Sequence, residues 1–369
     1  MEETHNSGQN LRKKMNKLII GFILLALVIV ITVVSSIWIK DVYKDYPKPW
    51  AFTYFDTMFI ASLIIIFYIK KFIKSKISYF NHNEVDQETE ECHSLRTYSE
   101  RQFSEHIIHI KNNKVTTYNK KFHKAGILMM IFWYFGNGFY NLGLSATSIT
   151  SSNTLSNVSI VFIFLIKVIF YNSKCELLKV ISTLIAGVGI FFIGKFESTV
   201  KEDSQKDSFI GDIYVLIGSL CYSIYTILLQ KFSKQHPKHF DMMEMFGYIG
   251  LYNILIIPFF LIIAHLATIE IFLIPTPSDM LNISINAFVS GIISDLLQSY
   301  AIILLSPIMV SFGLTFSIPL SFLYDLLKGK IQFNYEYLLG SILIFVSFAV
   351  MIFGKFRKAK IKAQEEVKV

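Results

Sequence analysis

Long apolar blocks, each about the length of a membrane-crossing helix, constrain this chain more than any other feature. They fall at 18–39, 51–69, 125–145, 152–171, 177–193, 211–229, 245–265, 282–304, 307–327 and 337–354. A helix needs about 20 mostly apolar residues to cross the hydrocarbon core. In lipid every backbone polar group must be satisfied within the protein, which leaves helices as the natural reading of such blocks. The expected fold class is therefore an all-α integral membrane protein of about ten transmembrane helices. Composition agrees, with 53% hydrophobic and 17% charged residues, against about 25% charged in soluble domains. A cytosolic enzyme, a secreted disulfide scaffold and a disordered chain are excluded. Block 18–39 is too long for a signal peptide and lacks a small-residue cleavage site before Lys40, so it reads as a retained span.

Loop charges set the expected orientation. Arg12, Lys13, Lys14 and Lys17 precede the first span, and Lys70, Lys71, Lys74 and Lys76 follow the second. Lys174 and Lys179 follow the fourth, Lys231, Lys234 and Lys238 the sixth, and Lys355, Arg357, Lys358, Lys360 and Lys362 the last. Loops 146–151, 196–209 and 266–281 are poorer in base. Both termini are thus expected on the cytosolic side. Trp38 and Trp50 flank the first outer loop, where amphipathic rings favour the interface. This one-sided basicity accounts for the net charge of +8, and no basic stripe with interleaved aromatics points to nucleic acid. Cys92, Cys175 and Cys221 show neither disulfide nor metal spacing, and no cofactor is expected.

The expected organisation is a cytosolic tail at 1–17, a first five-helix repeat at 18–193, an outer loop at 194–210, a second five-helix repeat at 211–354 and a cytosolic tail at 355–369. Within the first repeat, 73–123 reads as a solvated cytosolic loop, acidic over 84–91 and then polar. Its His82, His93, His106 and His109 fit no standard metal spacing. The halves match weakly at a constant offset. Tyr140 pairs with Tyr300, Leu144 with Leu304, Ser151 with Ser311, Phe162 with Phe322, and Gly194-Lys195-Phe196 with Gly354-Lys355-Phe356. An odd number of spans per half inverts one half relative to the other, the arrangement of many secondary transporters.

Polar residues inside the spans are the candidate site. Asp295 lies midway along span 8 with Gly291, Gln298, Ser299 and Ser306 on its face. A carboxylate there costs about 3 kcal/mol on the insertion scale. It therefore serves a cation or proton, or else a helix–helix hydrogen bond. It is expected to be the only carboxylate near mid-bilayer, since Asp56 in span 2 supports either a site or a packing reading. Span 3 presents Trp133, Asn137, Tyr140 and Asn141 on one face, span 4 Asn153, Ser156 and Asn157, and span 6 Ser219, Tyr222, Ser223, Thr226 and Gln230. The expected solute-binding set is Asp295, Gln298, Asn137, Tyr140, Asn141, Asn153 and Tyr222. Lys167 reads as a snorkelling residue, Asp325 as a partner of Lys328 or Lys330, and Pro319 as a kink in span 9. No soluble-enzyme motif is present. A membrane acyltransferase using His236 and Asp241, and a receptor or scaffold acting through 73–123, are the alternatives to a transporter of a small solute.

The motifs Ser294-Asp295, Ser306-Pro307, Gly313-Leu314, Ile318-Pro319-Leu320 and Asp325 resemble the last third of solute carrier family 35, subfamily F, of the drug/metabolite transporter superfamily. Lys48-Pro49-Trp50, Asn153-Thr154-Leu155-Ser156, Gly211-Asp212-Ile213-Tyr214, Tyr222-Ser223-Ile224-Tyr225 and the run Phe246–Asn253 resemble that group's remaining segments. The resemblance implies two inverted five-helix repeats, cytosolic termini, alternating access and an internal membrane such as the vacuole; coupling to protons or cations is the expectation carried by Asp295. It leaves the solute and the oligomeric state open. Nucleotide-sugar carriers of the family use a Lys-Thr pair in helix nine; here the membrane part of span 9 has no lysine and only Thr315.

Overall fold

The computed structural model describes residues 2–83, 98–147, 149–171, 177–200, 209–237, 240–327 and 335–368. The described residues are helical throughout, joined by short turns, in fourteen α-helices: α1 (Glu2–Asp45), α2 (Pro49–Met58), α3 (Ser62–Asn83), α4 (Tyr98–Ala146), α5 (Ile149–Ser156), α6 (Ser159–Tyr171), α7 (Leu177–Val200), α8 (Phe209–Gln235), α9 (Met242–Leu266), α10 (Pro277–Asn286), α11 (Asp295–Leu304), α12 (Pro307–Leu314), α13 (Ser317–Leu327) and α14 (Tyr335–Lys368). Seven continuous or near-continuous helices are long and apolar enough to cross a membrane: Met15–Asp45, Pro49–Ile73, Ser151–Tyr171, Phe209–Gln235, Met242–Leu266, Pro277–Leu304 and Pro307–Tyr324. Two shorter apolar helices, Leu177–Ile193 and Leu338–Gly354, match the expected spans 5 and 10. Span 3 is the carboxyl-terminal half of α4.

Helices run further than the apolar blocks. The segment read as loop 73–123 is helical over 73–83 and again from Tyr98, where α4 begins and continues into span 3. Residues 98–124 contain neither Gly nor Pro, so nothing in the chain breaks the helix before the membrane segment. Both tails likewise continue α1 and α14, and α7 extends through the start of the expected outer loop to Val200. The acidic run 84–91, Cys92, Cys175 and the Asp325 pairing with Lys328 or Lys330 lie outside the described residues or side chains.

Four spans are interrupted. In span 9 the break separates α12 from α13 at Thr315-Phe316. Pro319 has no N–H for the Thr315 carbonyl four residues back, and Ile318 N donates to it instead at 3.1 Å. In span 4, α5 and α6 are separated at Asn157-Val158, where Asn157 N and Val158 N turn back to the carbonyls of Thr154 and Leu155. Span 2 tightens into a 3₁₀ turn at Phe59–Ala61, and span 8 widens into a π segment at Ala287–Ser294. π segments are concentrated at functional sites.

Small residues let the helices close on one another. A Cβ at Gly189 of α7 would lie 2.9 Å from the Gly340 carbonyl of α14, and one at Gly340 would lie 2.8 Å from the Gly189 carbonyl. Glycine is the residue that permits that reciprocal approach, as in small-residue crossings generally. Trp50 is not an interfacial anchor. It is 4% exposed and packs edge-on against Phe135, Phe139 and Phe260 with ring centroids 5.1–5.9 Å apart. Pro49 starts α2 at a position that turns this ring inward, whereas Trp38 stays exposed.

Candidate functional site

A cavity of about 190 Å³ lies among α1, α2, α4, the α5–α6 break, α8, the π segment with α11, and the α12–α13 break. That volume exceeds the 150 Å³ cavity known to hold a single aromatic ring. All seven residues of the expected set lie on its wall. Spans 1 and 2 join spans 3, 4, 6, 8 and 9, to which the sequence points, contributing Thr32, Ser35, Ser36, Ile39, Phe52 and Asp56. Ser306 faces a different pocket, because the turn before Pro307 takes it off the face that carries Asp295.

Hydrogen bonds stitch this wall across helices. Tyr140 OH donates to Asn153 Oδ1 at 2.9 Å and lies 3.2 Å from Ser36 Oγ. Asn153 Nδ2 in turn donates to Ser321 Oγ at 3.2 Å, so spans 1, 3, 4 and 9 share one polar thread. Gln298 Nε2 donates to Tyr222 OH at 2.9 Å, joining spans 8 and 6. Asn141 Nδ2 donates to Thr53 Oγ1 at 2.9 Å, joining spans 3 and 2. Asn137 Nδ2 returns to its own helix at the Trp133 carbonyl, 2.9 Å away. Ser299 turns from the cavity toward Tyr225 OH, 3.3 Å distant.

The charges on the wall are all acidic. Asp56 and Asp295 line the cavity, and no Lys, Arg or His does so among the described residues. Asp295 is therefore not the only carboxylate on this wall. The two differ in their surroundings. Asp56 Oδ1 accepts 2.8 Å from Asn286 Nδ2, whose Oδ1 accepts 2.7 Å from Ser35 Oγ. The Asp295 carboxylate makes no hydrogen bond or ion pair among the described residues, although the residue is partly buried. A carboxylate removed from bulk water without a partner is costly, so the wall carries an unanswered demand for positive charge. The sequence signal for Asp56 was its position inside an apolar span; what ties it to the wall is the bond from Asn286 of span 8. Thr32, Ser35, Ser36 and Ile39 recur at helical spacing on one face of an otherwise apolar span.

The residues of the acyltransferase alternative have structural jobs. Asp241 caps α9, accepting from Met243 N at 2.8 Å and Glu244 N at 3.3 Å. The His236 ring packs on Phe232 and Tyr118, with centroids 4.9 and 5.2 Å away.

A family model for SLC35F, solute carrier family 35, matches residues 108–357. The chain belongs to solute carrier family 35. It is 27% identical over 341 residues to the thiamine-repressible mitochondrial transport protein THI74 of Saccharomyces cerevisiae, covering 89% of this chain and 90% of that one. It is 27% identical over 358 residues to the vacuolar membrane protein YML018C of the same organism, covering 90% and 89%. Bovine solute carrier family 35 member F5 is 27% identical over 232 residues, 62% of this chain and 43% of that protein. A crystal structure with 13% identity superposes at a TM-score of 0.54, covering 93% of this chain and 98% of that chain, which supports the fold alone. This solute carrier is a multi-pass membrane transporter rather than an enzyme. Its ligand is a small-molecule solute and its solvent a lipid bilayer.

Proposed function

We propose that this carrier moves a small organic cation, held near the membrane midplane against Asp295 and Asp56, by alternating access. The observation that carries the reading is the charge of the wall: two carboxylates, one without a protein partner, and no base among the described residues. An anionic solute such as a nucleotide sugar would meet only repulsion there, in agreement with the missing lysine of span 9. Trp133, Tyr140, Tyr222 and Phe52 add aromatic faces to the same wall, and such faces attract desolvated cations.

Interrupted helices at a midplane site are the pattern of secondary transporters. The breaks at 157–158 and 315–316 occupy near-equivalent places in the two halves, and the Asn153–Ser321 bond joins the helices that carry them. The halves are proposed to be inverted repeats that rock about this contact. With the solute absent, a proton on Asp295 would neutralise the same site, which makes proton exchange the natural coupling. Basic loops support cytosolic termini. A vacuolar relative supports an internal membrane, with a mitochondrial relative leaving the choice of organelle to localisation.

A thermal-shift screen of the purified carrier tests this reading. Matched small organic cations and anions are compared at equal concentration. Stabilisation by one or more cations and by none of the anions is expected; stabilisation by anions alone would overturn it.

A further inference from the structure

A second cavity, of about 600 Å³, opens at the lysine-rich end of the helices. It shares no lining residue with the acidic cavity, and its charge is opposite. Lys167, Lys179, Lys231 and Lys234 line it, and no Asp or Glu does so among the described residues. Gln230 is drawn into the cluster, its Oε1 accepting from Lys167 Nζ at 3.2 Å. Lys231 Nζ lies 4.9 Å from the centroid of the Tyr171 ring. Below the lysines the wall turns apolar, with Phe164, Leu178, Ile227, Leu305, Ile308 and Met309.

The apolar part continues. Phe164 is also a wall of a cleft of about 390 Å³ between α6 and α7, lined by Val161, Leu165, Leu184, Val188 and Phe191. Gly187 lies in this cleft, and a Cβ added there would meet nothing within 4 Å. The α7 residues of the cleft run from Val180 to Phe191, eleven residues or a rise of about 16 Å. That is about one leaflet of a hydrocarbon core about 30 Å thick. A basic pocket that shares its Phe164 wall with an apolar cleft along the membrane helices matches one class of molecule in both charge and shape.

We propose that this pocket and cleft bind an acidic phospholipid, its phosphate headgroup among the four lysines and one acyl chain in the α6–α7 cleft. Basic pockets between membrane helices are recognised sites for such headgroups. α6 follows the break in span 4, and α7 carries the Gly189 contact with α14. The cleft lies within the first half, whereas the lysine pocket is lined from both halves, so a bound headgroup would bridge them at one end. The inference does not depend on the solute or on the acidic cavity.

The test uses the full chain, stripped of lipid in neutral detergent. Its thermal unfolding is followed during titration with dioleoyl phosphatidic acid, dioleoyl phosphatidylcholine or sn-glycerol 3-phosphate. Phosphatidic acid should stabilise the protein, and the other two should not. Lys231→Gln with Lys234→Gln should weaken the apparent affinity for phosphatidic acid about 25-fold, about fivefold for each charge near the surface. Gly187→Leu, built into open space, should weaken the same affinity by closing the cleft while leaving the unfolding temperature in phosphatidylcholine unchanged. Equal stabilisation by phosphatidylcholine would overturn the proposal, and so would equal stabilisation by glycerol phosphate, which marks a soluble-anion site. Unchanged affinity in either variant overturns it as well, so failure of one variant to fold still leaves a decisive measurement in the other.

Discussion

Asn286 Nδ2 donates to Asp56 Oδ1 across 2.8 Å, and this bond fastens one acid of the cavity to the helix that carries the other. Gly291, one turn closer to Asp295, brings that helix so near that a Cβ there would sit 3.5 Å from Asp56 Oδ2. Ser35 completes the tie from span 1. Spans 1, 2 and 8 therefore hold the two carboxylates in fixed relation.

Asn286→Leu should break that relation. It strands the Asp56 carboxylate and the Ser35 hydroxyl in a buried setting, at a cost of about 1–3 kcal/mol for each unsatisfied group. A lower unfolding temperature is expected, together with solute affinity reduced although both acids remain. Asn286→Ser, which keeps a donor, should recover part of both. Unaltered stability and affinity in the Leu variant would show that the Asn286 bond holds nothing in place.

Gly340→Leu should strain the α7–α14 crossing. The added side chain has the Gly189 carbonyl 2.8 Å from its first carbon and the Ile193 side chain beside it. Overpacking of this kind costs about 1–3 kcal/mol, so reduced yield of monodisperse protein and a lower unfolding temperature are expected. Gly187→Ala, on the same helix as Gly189 but facing open space, serves as the control and should change neither.

Glu270 caps α2 from a distance, its carboxylate accepting from Trp50 N at 3.1 Å and Ala51 N at 2.9 Å. Lys48, at the N-cap, makes no side-chain cap of its own. Burial pushes the Glu270 carboxyl above its ordinary 4.5, partly offset by the Ala51 and Trp50 N–H groups and by Lys48. A raised folded value means that its contribution to stability is complete below pH 4.5 and is lost as the pH rises through the folded value. Glu270→Gln should remove that segment of pH dependence from an unfolding series. Glu270→Ala should lower stability at every pH by about 1 kcal/mol or more for the lost cap. An identical pH series in wild type and the Gln variant would contradict the assignment.

Much of this architecture was legible because the physics is coarse. Twenty apolar residues must cross a bilayer as a helix, and amides, hydroxyls and aromatic rings recurring at helical spacing inside such a run share a face. That logic led to Asn137, Tyr140 and Asn141 on span 3, Asn153 on span 4, Tyr222 on span 6, and Asp295 and Gln298 on span 8, all on one cavity wall. It fell short where position depends on a distant partner or a break in a helix. Asp56 is tied to the wall by Asn286 of span 8, and Ser306 departs with the turn before Pro307. Trp50 was misplaced because an aromatic residue beside a loop reads as an anchor until its partners Phe135, Phe139 and Phe260 are brought in from distant spans. Residues 98–123 read as a loop because they are polar, yet polarity without Gly or Pro does not stop a helix that a membrane span has already nucleated. The basic pocket escaped because its four lysines come from the ends of two different loops: Lys179, Lys231 and Lys234 were read as markers of membrane side and Lys167 as a snorkelling residue.

The most direct test of the central claim is uptake of small organic cations into proteoliposomes under an imposed pH gradient, by wild type, Asp295→Asn and Asp56→Asn. Asp295→Asn keeps the shape of the side chain and removes the charge that no protein group answers among the described residues. Wild type should accumulate at least one cation, and Asp295→Asn should lose at least about tenfold in rate, the effect of 1.4 kcal/mol, with its unfolding temperature maintained. Asp56→Asn should be impaired as well, and Asp295→Glu should retain part of the rate with a shifted pH optimum. Wild-type rates in Asp295→Asn at every pH would contradict the account and return Asp295 to a packing role.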